Sequence, residues 1–161
     1  FRISMKKIVF ALIALAMIAP RVTAQSNAEE VEFFQSLFGS EKKYIVASFI
    51  QLEGEAKDAF WALYDEYETQ RKELGKNRIS LLEKYTEEYE GMSDEQADAM
   101  MASFTKQMKS TDKLVGSYYK KIRKASGSKS AAQFFHLEHF FLSAIRVSLL
   151  ESIPVIGELG D

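Results

Sequence analysis

Residues 92–125 read MSDEQADAMMASFTKQMKSTDKLVGSYYKKIRKA, and this stretch decides the fold. Counting alternately four and three from Ala97 gives Met101, Phe104, Met108, Thr111, Val115, Tyr118, Ile122 and Ala125. Only a period of 3.5 to 3.6 keeps those side chains on one face, so the pattern predicts one long amphipathic helix. Its polarity agrees at both ends. Ser93 can cap the first turn, and Asp94 and Glu95 sit where the helix dipole favours negative charge. Lys120, Lys121, Arg123 and Lys124 match the other pole, and Gly127 is a suitable terminator.

Working back from this helix, Glu90-Gly91-Met92 is a short connection to an earlier one that starts near Glu55. There Phe60, Tyr67, Leu74 and Leu81 recur every seven residues, as do Tyr64, Arg71, Arg78 and Tyr85. Gly75-Lys76-Asn77 has turn composition, yet Leu74 and Leu81 keep the register of Phe60 and Tyr67, which favours one continuous helix with a weak point at Gly75. A link this short makes the two helices antiparallel neighbours. Arms of roughly 50 Å follow from the rise per residue, whereas a compact globule of this size has a radius of gyration of about 14 Å. The pair therefore projects, and its seams call for a partner.

Further back, Asn27 to Phe38 is expected to form a short helix ended by Gly39, and Ser40 to cap a second segment carrying Tyr44, Ile45, Phe49 and Leu52. A break is expected at Leu52-Glu53-Gly54. After Ser126-Gly127-Ser128 a last helix begins, with Ser130 and Gln133 at capping-box spacing. From Phe134 to Ile153 it is apolar nearly all round, which implies wrapping by other helices, and Pro154 should end it. The class is all-α: a long antiparallel helical hairpin plus shorter flanking helices, expected to pair as an elongated, cradle-like dimer.

The first 24 residues have a different composition. Met5-Lys6-Lys7 is basic, Ile8 to Ala19 is apolar, and Val22-Thr23-Ala24 offers small residues where a signal peptidase reads. The apolar run is shorter than the roughly 20 residues of a membrane span, so residues 1–24 are read as an upstream remnant and signal peptide, and residues 25–161 as one helical domain. Four of the 21 basic residues and none of the 23 acidic ones fall in the leader, so the remainder carries a net charge of −6. Nucleic acid is a poor partner for that charge. No later segment can span a membrane, and the lack of cysteine excludes disulfides and thiol chemistry.

No glycine-rich phosphate loop, serine elbow or Cys/His box is present, so neither enzyme chemistry nor a cofactor is implied. The acid runs, Asp65-Glu66 with Glu68 among them, read as solvated helix surface. His136 and His139 lie on one side of a helix with Glu138 adjacent, a weak metal candidate without third and fourth ligands. Met100, Met101, Phe104 and Met108 combine with Lys120, Lys121, Arg123 and Lys124 as a candidate client-binding surface, adaptable and positively charged.

Met92-Ser93-Asp94-Glu95-Gln96, opening a long helix in a cysteine-free chain behind an export signal, resembles the Leu-Thr-x-x-Gln motif of the Spy/CpxP group of periplasmic proteins. Phe60-Trp61-Ala62-Leu63-Tyr64-Asp65-Glu66-Tyr67 is similar to the aromatic helix of short exported proteins of Bacteroidetes type. Leu52-Glu53-Gly54-Glu55-Ala56 stands where the group has a second motif, but lacks its Thr and Gln. The resemblance implies a periplasmic homodimer acting as an ATP-independent chaperone or envelope-stress protein on unfolded or partner polypeptides. The chaperone reading ranks first; the alternatives are a metal-responsive sensor, for which only His136 and His139 could stand in, or a purely structural helical dimer.

The leader reading has a direct test. Intact mass of the exported protein should correspond to a chain starting at Gln25, and retention of Met5 to Ala24 would contradict the assignment.

Overall fold

The computed structural model describes residues 26–153, with side chains from 38 to 150 and at 153. The leader, Gln25 and the tail from Pro154 lie outside the described residues. Four helices fill that span: α1 (Ser26–Phe49), α2 (Gly54–Glu88), α3 (Asp94–Ser126) and α4 (Ser128–Ser152), with a 3-10 turn at Tyr89–Gly91 between α2 and α3. No strand is present among the described residues. None of the described helices is long and apolar enough to cross a membrane.

Helix α1 runs through Gly39 without a break, contrary to the expectation of two segments. A glycine costs about 1 kcal/mol inside a helix, but here it lies close to α2: a Cβ at Gly39 would meet Glu68 Oε2 at 3.6 Å and Lys72 Cε at 3.8 Å. Tertiary packing overrides the local propensity. The expected break comes at Ile50 to Glu53, and α2 starts on Gly54 with φ +57°, a backbone region open to glycine. Past Gly75 the helix continues, in keeping with the unbroken register of Leu74 and Leu81.

Both ends of α3 match its sequence. The Gln96 N–H donates to Ser93 Oγ (3.3 Å) while the Ser93 N–H donates to Gln96 Oε1 (2.9 Å), a closed capping box. At the far end the Gly127 N–H donates to the Arg123 carbonyl (3.2 Å), with Gly127 at φ +93°. No box forms at Ser130 and Gln133. The helix has already begun at Ser128, Ser130 Oγ donates back to the Ser126 carbonyl (2.7 Å), and Gln133 Nε2 donates to the Phe49 carbonyl (2.9 Å). Gln133 thus closes the end of α1 instead of the start of α4.

Helices α2 and α3 lie against each other, and their contacts come in opposite chain order: Ser126 Oγ donates to the Ala56 carbonyl, Gln70 Nε2 to Tyr118 Oη, Gln107 Nε2 to the Leu74 carbonyl, and the Tyr85 ring meets Phe104. The buried face of α3 departs from the expected seam in its first half. Met100 is buried and Gln107 half-buried, while Met101 and Met108 are exposed. A straight helix turns once per 3.6 residues, and a strict heptad count drifts around it by about 20° per repeat. From Thr111 onward the two counts coincide, and Val115, Tyr118 and Ile122 are buried.

The core centres on rings from three helices: Phe60, Tyr64 and Tyr67 of α2, Tyr118 of α3 and Phe134 of α4. Tyr67 meets Phe134 edge-on at 5.1 Å and Tyr118 at 5.5 Å. Edge-to-face pairs of this kind add about 0.5–1.5 kcal/mol each beyond the area they bury. Val46 of α1 and Ile50 just past its end join the same cluster. Helix α4 is not wrapped on every side as its composition suggested: Phe135, Val147 and Leu150 are exposed.

The capping box gives a stability prediction. Ser93→Ala should lower unfolding stability by about 1 kcal/mol, read from urea denaturation. An unchanged midpoint would show that the box adds nothing to the fold.

Candidate functional site

Four charged side chains meet inside the bundle, where apolar residues are the rule. Lys42 and Glu138 are fully buried, and Glu68 and Arg71 are 9% exposed. Each arrives by helical phase. Lys42 is one turn before Ile45 and Val46 on the inward face of α1, Glu68 and Arg71 follow Tyr64 and Tyr67 on α2, and Glu138 lies between Phe134 and Phe141 on α4.

Lys42 Nζ donates to Glu68 Oε1 at 2.5 Å and to Glu138 Oε2 at 2.7 Å, joining three helices through one ammonium. Tyr67 Oη donates to the same Glu138 Oε2 at 2.6 Å. Arg71 holds Glu68 with two parallel bonds, Nε to Oε1 and Nη2 to Oε2, both 2.9 Å. This fork is the strongest carboxylate geometry that arginine offers. Rings complete the enclosure, with the Lys42 ammonium 5.1 Å from the centre of Tyr67 and 5.7 Å from those of Tyr64 and Phe141. Two groups remain unmatched: Tyr64 Oη and Glu138 Oε1 are buried without a hydrogen-bond partner.

The two carboxyls are tuned in opposite directions. Burial would raise Glu68, but Lys42 and Arg71 together outweigh it and hold that carboxyl below its usual range. Burial also raises Glu138, and there Lys42 does not compensate because the Glu68 charge pushes the same way, so its carboxyl lies above the usual range. Burial and then Glu138 push the Tyr67 phenol well up, which keeps it a hydrogen-bond donor. Held carboxylates and an undissociated phenol can position a proton or a polar group.

A cleft of about 20 Å³ adjoins this cluster, lined from all four helices by residues that include Phe38, Arg71, Arg78, Gln107, Glu138 and Ile145. Arg78 is half-buried, and no hydrogen bond or ion pair ties it to another side chain among the described residues. Its pKa is lowered by burial first and then by the positive charges of Arg71 and Arg146.

The sequence-derived candidates are not brought together. Met100 is buried and Phe104 is half-buried against the Tyr85 ring, while Met101 and Met108 face solvent. Lys120, Lys121, Arg123 and Lys124 are exposed on later turns, where Lys121 pairs with Glu66 at 3.4 Å and Arg123 lies over the Tyr119 ring. His136 is exposed and His139 lies 4.3 Å from the Phe135 ring. Glu138, read as their neighbour, is instead turned into the core on Lys42, because one residue along a helix is a rotation of about 100°. Among the described residues, no group of three or more His, Cys, Asp or Glu could hold a metal ion. Glu68, read as solvated surface, is likewise a correction.

Sequence reasoning missed Lys42, Glu68 and Glu138, and the available signal was a charged residue standing in apolar phase on its helix. No family model matches the chain, and neither a curated protein nor a solved structure matches it.

The opposed carboxyls give a pH prediction. A depressed folded-state pKa stabilises above the usual carboxyl value near 4.3 and loses that contribution as pH falls through the folded pKa; a raised one stabilises below that value and loses its contribution as pH rises through the folded pKa. Relative to wild type, Glu68→Gln should therefore improve as the solution is acidified below that value, and Glu138→Gln should improve as pH rises above it. Urea denaturation across the acid-to-neutral range reads both, and parallel trends would contradict the assignment.

Proposed function

We propose that the chain is a periplasmic, non-catalytic protein that holds unfolded or partner polypeptides without ATP, as its resemblance to the Spy/CpxP group suggests. In this reading α2 and α3 form the long antiparallel hairpin of an elongated, cradle-like homodimer, and the export signal has been removed after Ala24. The observation that carries it is the set of large apolar side chains left outside the core. Tyr44 is 70% exposed, Leu150 64% and Val147 54%, with Phe49, Met101, Met108 and Phe135 each above 40%.

Their spacing supports a surface rather than scatter. Met101 and Met108 are seven apart and Val147 and Leu150 three apart, so each pair shares one face of its helix. Flexible thioethers accept apolar partners of varied shape, and weak, adaptable contacts permit release without an energy source. The exposed Lys120, Lys121, Arg123 and Lys124 add positive charge that attracts acidic segments. Met100 belongs to the core and Phe104 is half-buried against Tyr85, which moves the candidate client contact on α3 to Met101 and Met108.

The test is suppression of aggregation of an unrelated unfolded substrate at near-stoichiometric ratio, followed by light scattering. Wild type should protect, and Met101→Ser with Met108→Ser should reduce protection while circular dichroism shows helicity unchanged. Absence of protection by wild type would leave these faces to dimer packing alone.

A further inference from the structure

The cleft beside the charge network presents two kinds of unmet hydrogen-bonding group. At its inner end is Glu138, fully buried, whose Oε1 has no partner while Oε2 is occupied by Lys42 and Tyr67. Toward solvent is Arg78, half-exposed, which lines the same cleft; the positive charge of the exposed Arg146 adds to that of Arg71 in disfavouring its own. Lys42 and Arg71 also line the cleft, and their ion pairs are with Glu68 and Glu138. A buried acceptor and the guanidinium group of Arg78, lining one cleft, therefore await an occupant that can both donate a hydrogen bond and carry negative charge.

Simple anions answer half of this description. Chloride or sulfate would satisfy Arg78 but bring an acceptor toward the Glu138 carboxylate, where repulsion opposes it. Water could meet Glu138 but would leave the positive charge of Arg78 and Arg146 uncompensated. An oxyanion that retains a proton meets both ends, with its hydroxyl donated inward and its charged oxygens facing the Arg78 guanidinium. Size agrees: about 20 Å³ admits roughly one water-sized group, so one hydroxyl enters and the remaining oxygens stay at the mouth with Arg78.

We propose that this cleft is a binding site for a protonated oxyanion, of which hydrogen phosphate is the simplest, with Arg78 holding its charged oxygens and Glu138 accepting its hydroxyl. The site draws on α2 and α4 and is independent of the exposed apolar faces assigned to polypeptide binding. Occupancy joins these helices across the cleft, so binding stabilises the fold.

The experiment uses the full chain at neutral pH and constant ionic strength, with inorganic phosphate and sulfate compared by isothermal titration calorimetry and by thermal unfolding. Millimolar phosphate should bind saturably and raise the melting temperature by several degrees, and sulfate should do neither. Arg78→Gln should weaken phosphate binding about tenfold or more, in line with loss of a charge-assisted contact. Because Arg78 is half-buried, Arg146→Gln at an exposed position serves as the second variant, expected to weaken binding without lowering the melting temperature in sulfate. The proposal is overturned if wild type shows no saturable phosphate binding, if sulfate binds equally well, or if both variants bind phosphate as wild type does.

Discussion

The structure depends on where one ammonium group can be placed. Lys42 lies on the inward face of α1, one turn before Ile45 and Val46 of the core, so when α1 docks its charge must enter too. A buried ion without partners costs several kcal/mol, and the docking observed avoids this by setting Lys42 opposite Glu68 of α2 and Glu138 of α4 together. Glu68 in turn needs Arg71, and Glu138 needs Tyr67. Helix α3 contributes no charge to the cluster; it covers the arrangement with Tyr118 against Tyr67.

Such a network is a poor source of net stability, since well-packed apolar side chains in its place are often as good or better. Its value lies in register. Apolar helix faces slide past one another at modest cost, whereas sliding α1 by one turn would strand an ammonium and take a partner from each of two carboxylates. With Lys42 fixed, Tyr44 two residues on must face outward, and among the described residues Tyr44 is the most exposed of the large apolar side chains. The same anchoring leaves Glu138 Oε1 and Arg78 at the cleft. The outer surface and the cleft are thus both consequences of one interior constraint.

Much of the architecture was legible because it is local. Ser93 caps α3, Gly127 ends it, and Leu74 and Leu81 carry α2 through Gly75, all of which follow from spacing along one helix. The departures arise where a second helix decides. Gly39 remains helical because α2 passes beside it, Gln133 turns to the end of α1, and Met101 yields its inward place to Met100 as the helix drifts from the heptad count. The charge cluster was the least legible part. Asp65, Glu66 and Glu68 are alike in composition, and only the phase of Glu68 with the buried Tyr64 and Arg71 separates it from its solvated neighbours. Nothing within α1 or α4 alone reveals that Lys42 and Glu138, 96 residues apart, are partners.

A double-mutant cycle on Lys42 and Glu138 tests the central claim most directly, using Lys42→Met, Glu138→Leu and the pair, each measured by equilibrium unfolding in urea. Each single replacement should cost about 3–5 kcal/mol because it strands the other charge. The double replacement should cost well under the sum, giving a coupling energy above about 1 kcal/mol. Additive losses would mean that the two side chains do not meet in the folded protein, and the account of how these helices find their register would be wrong.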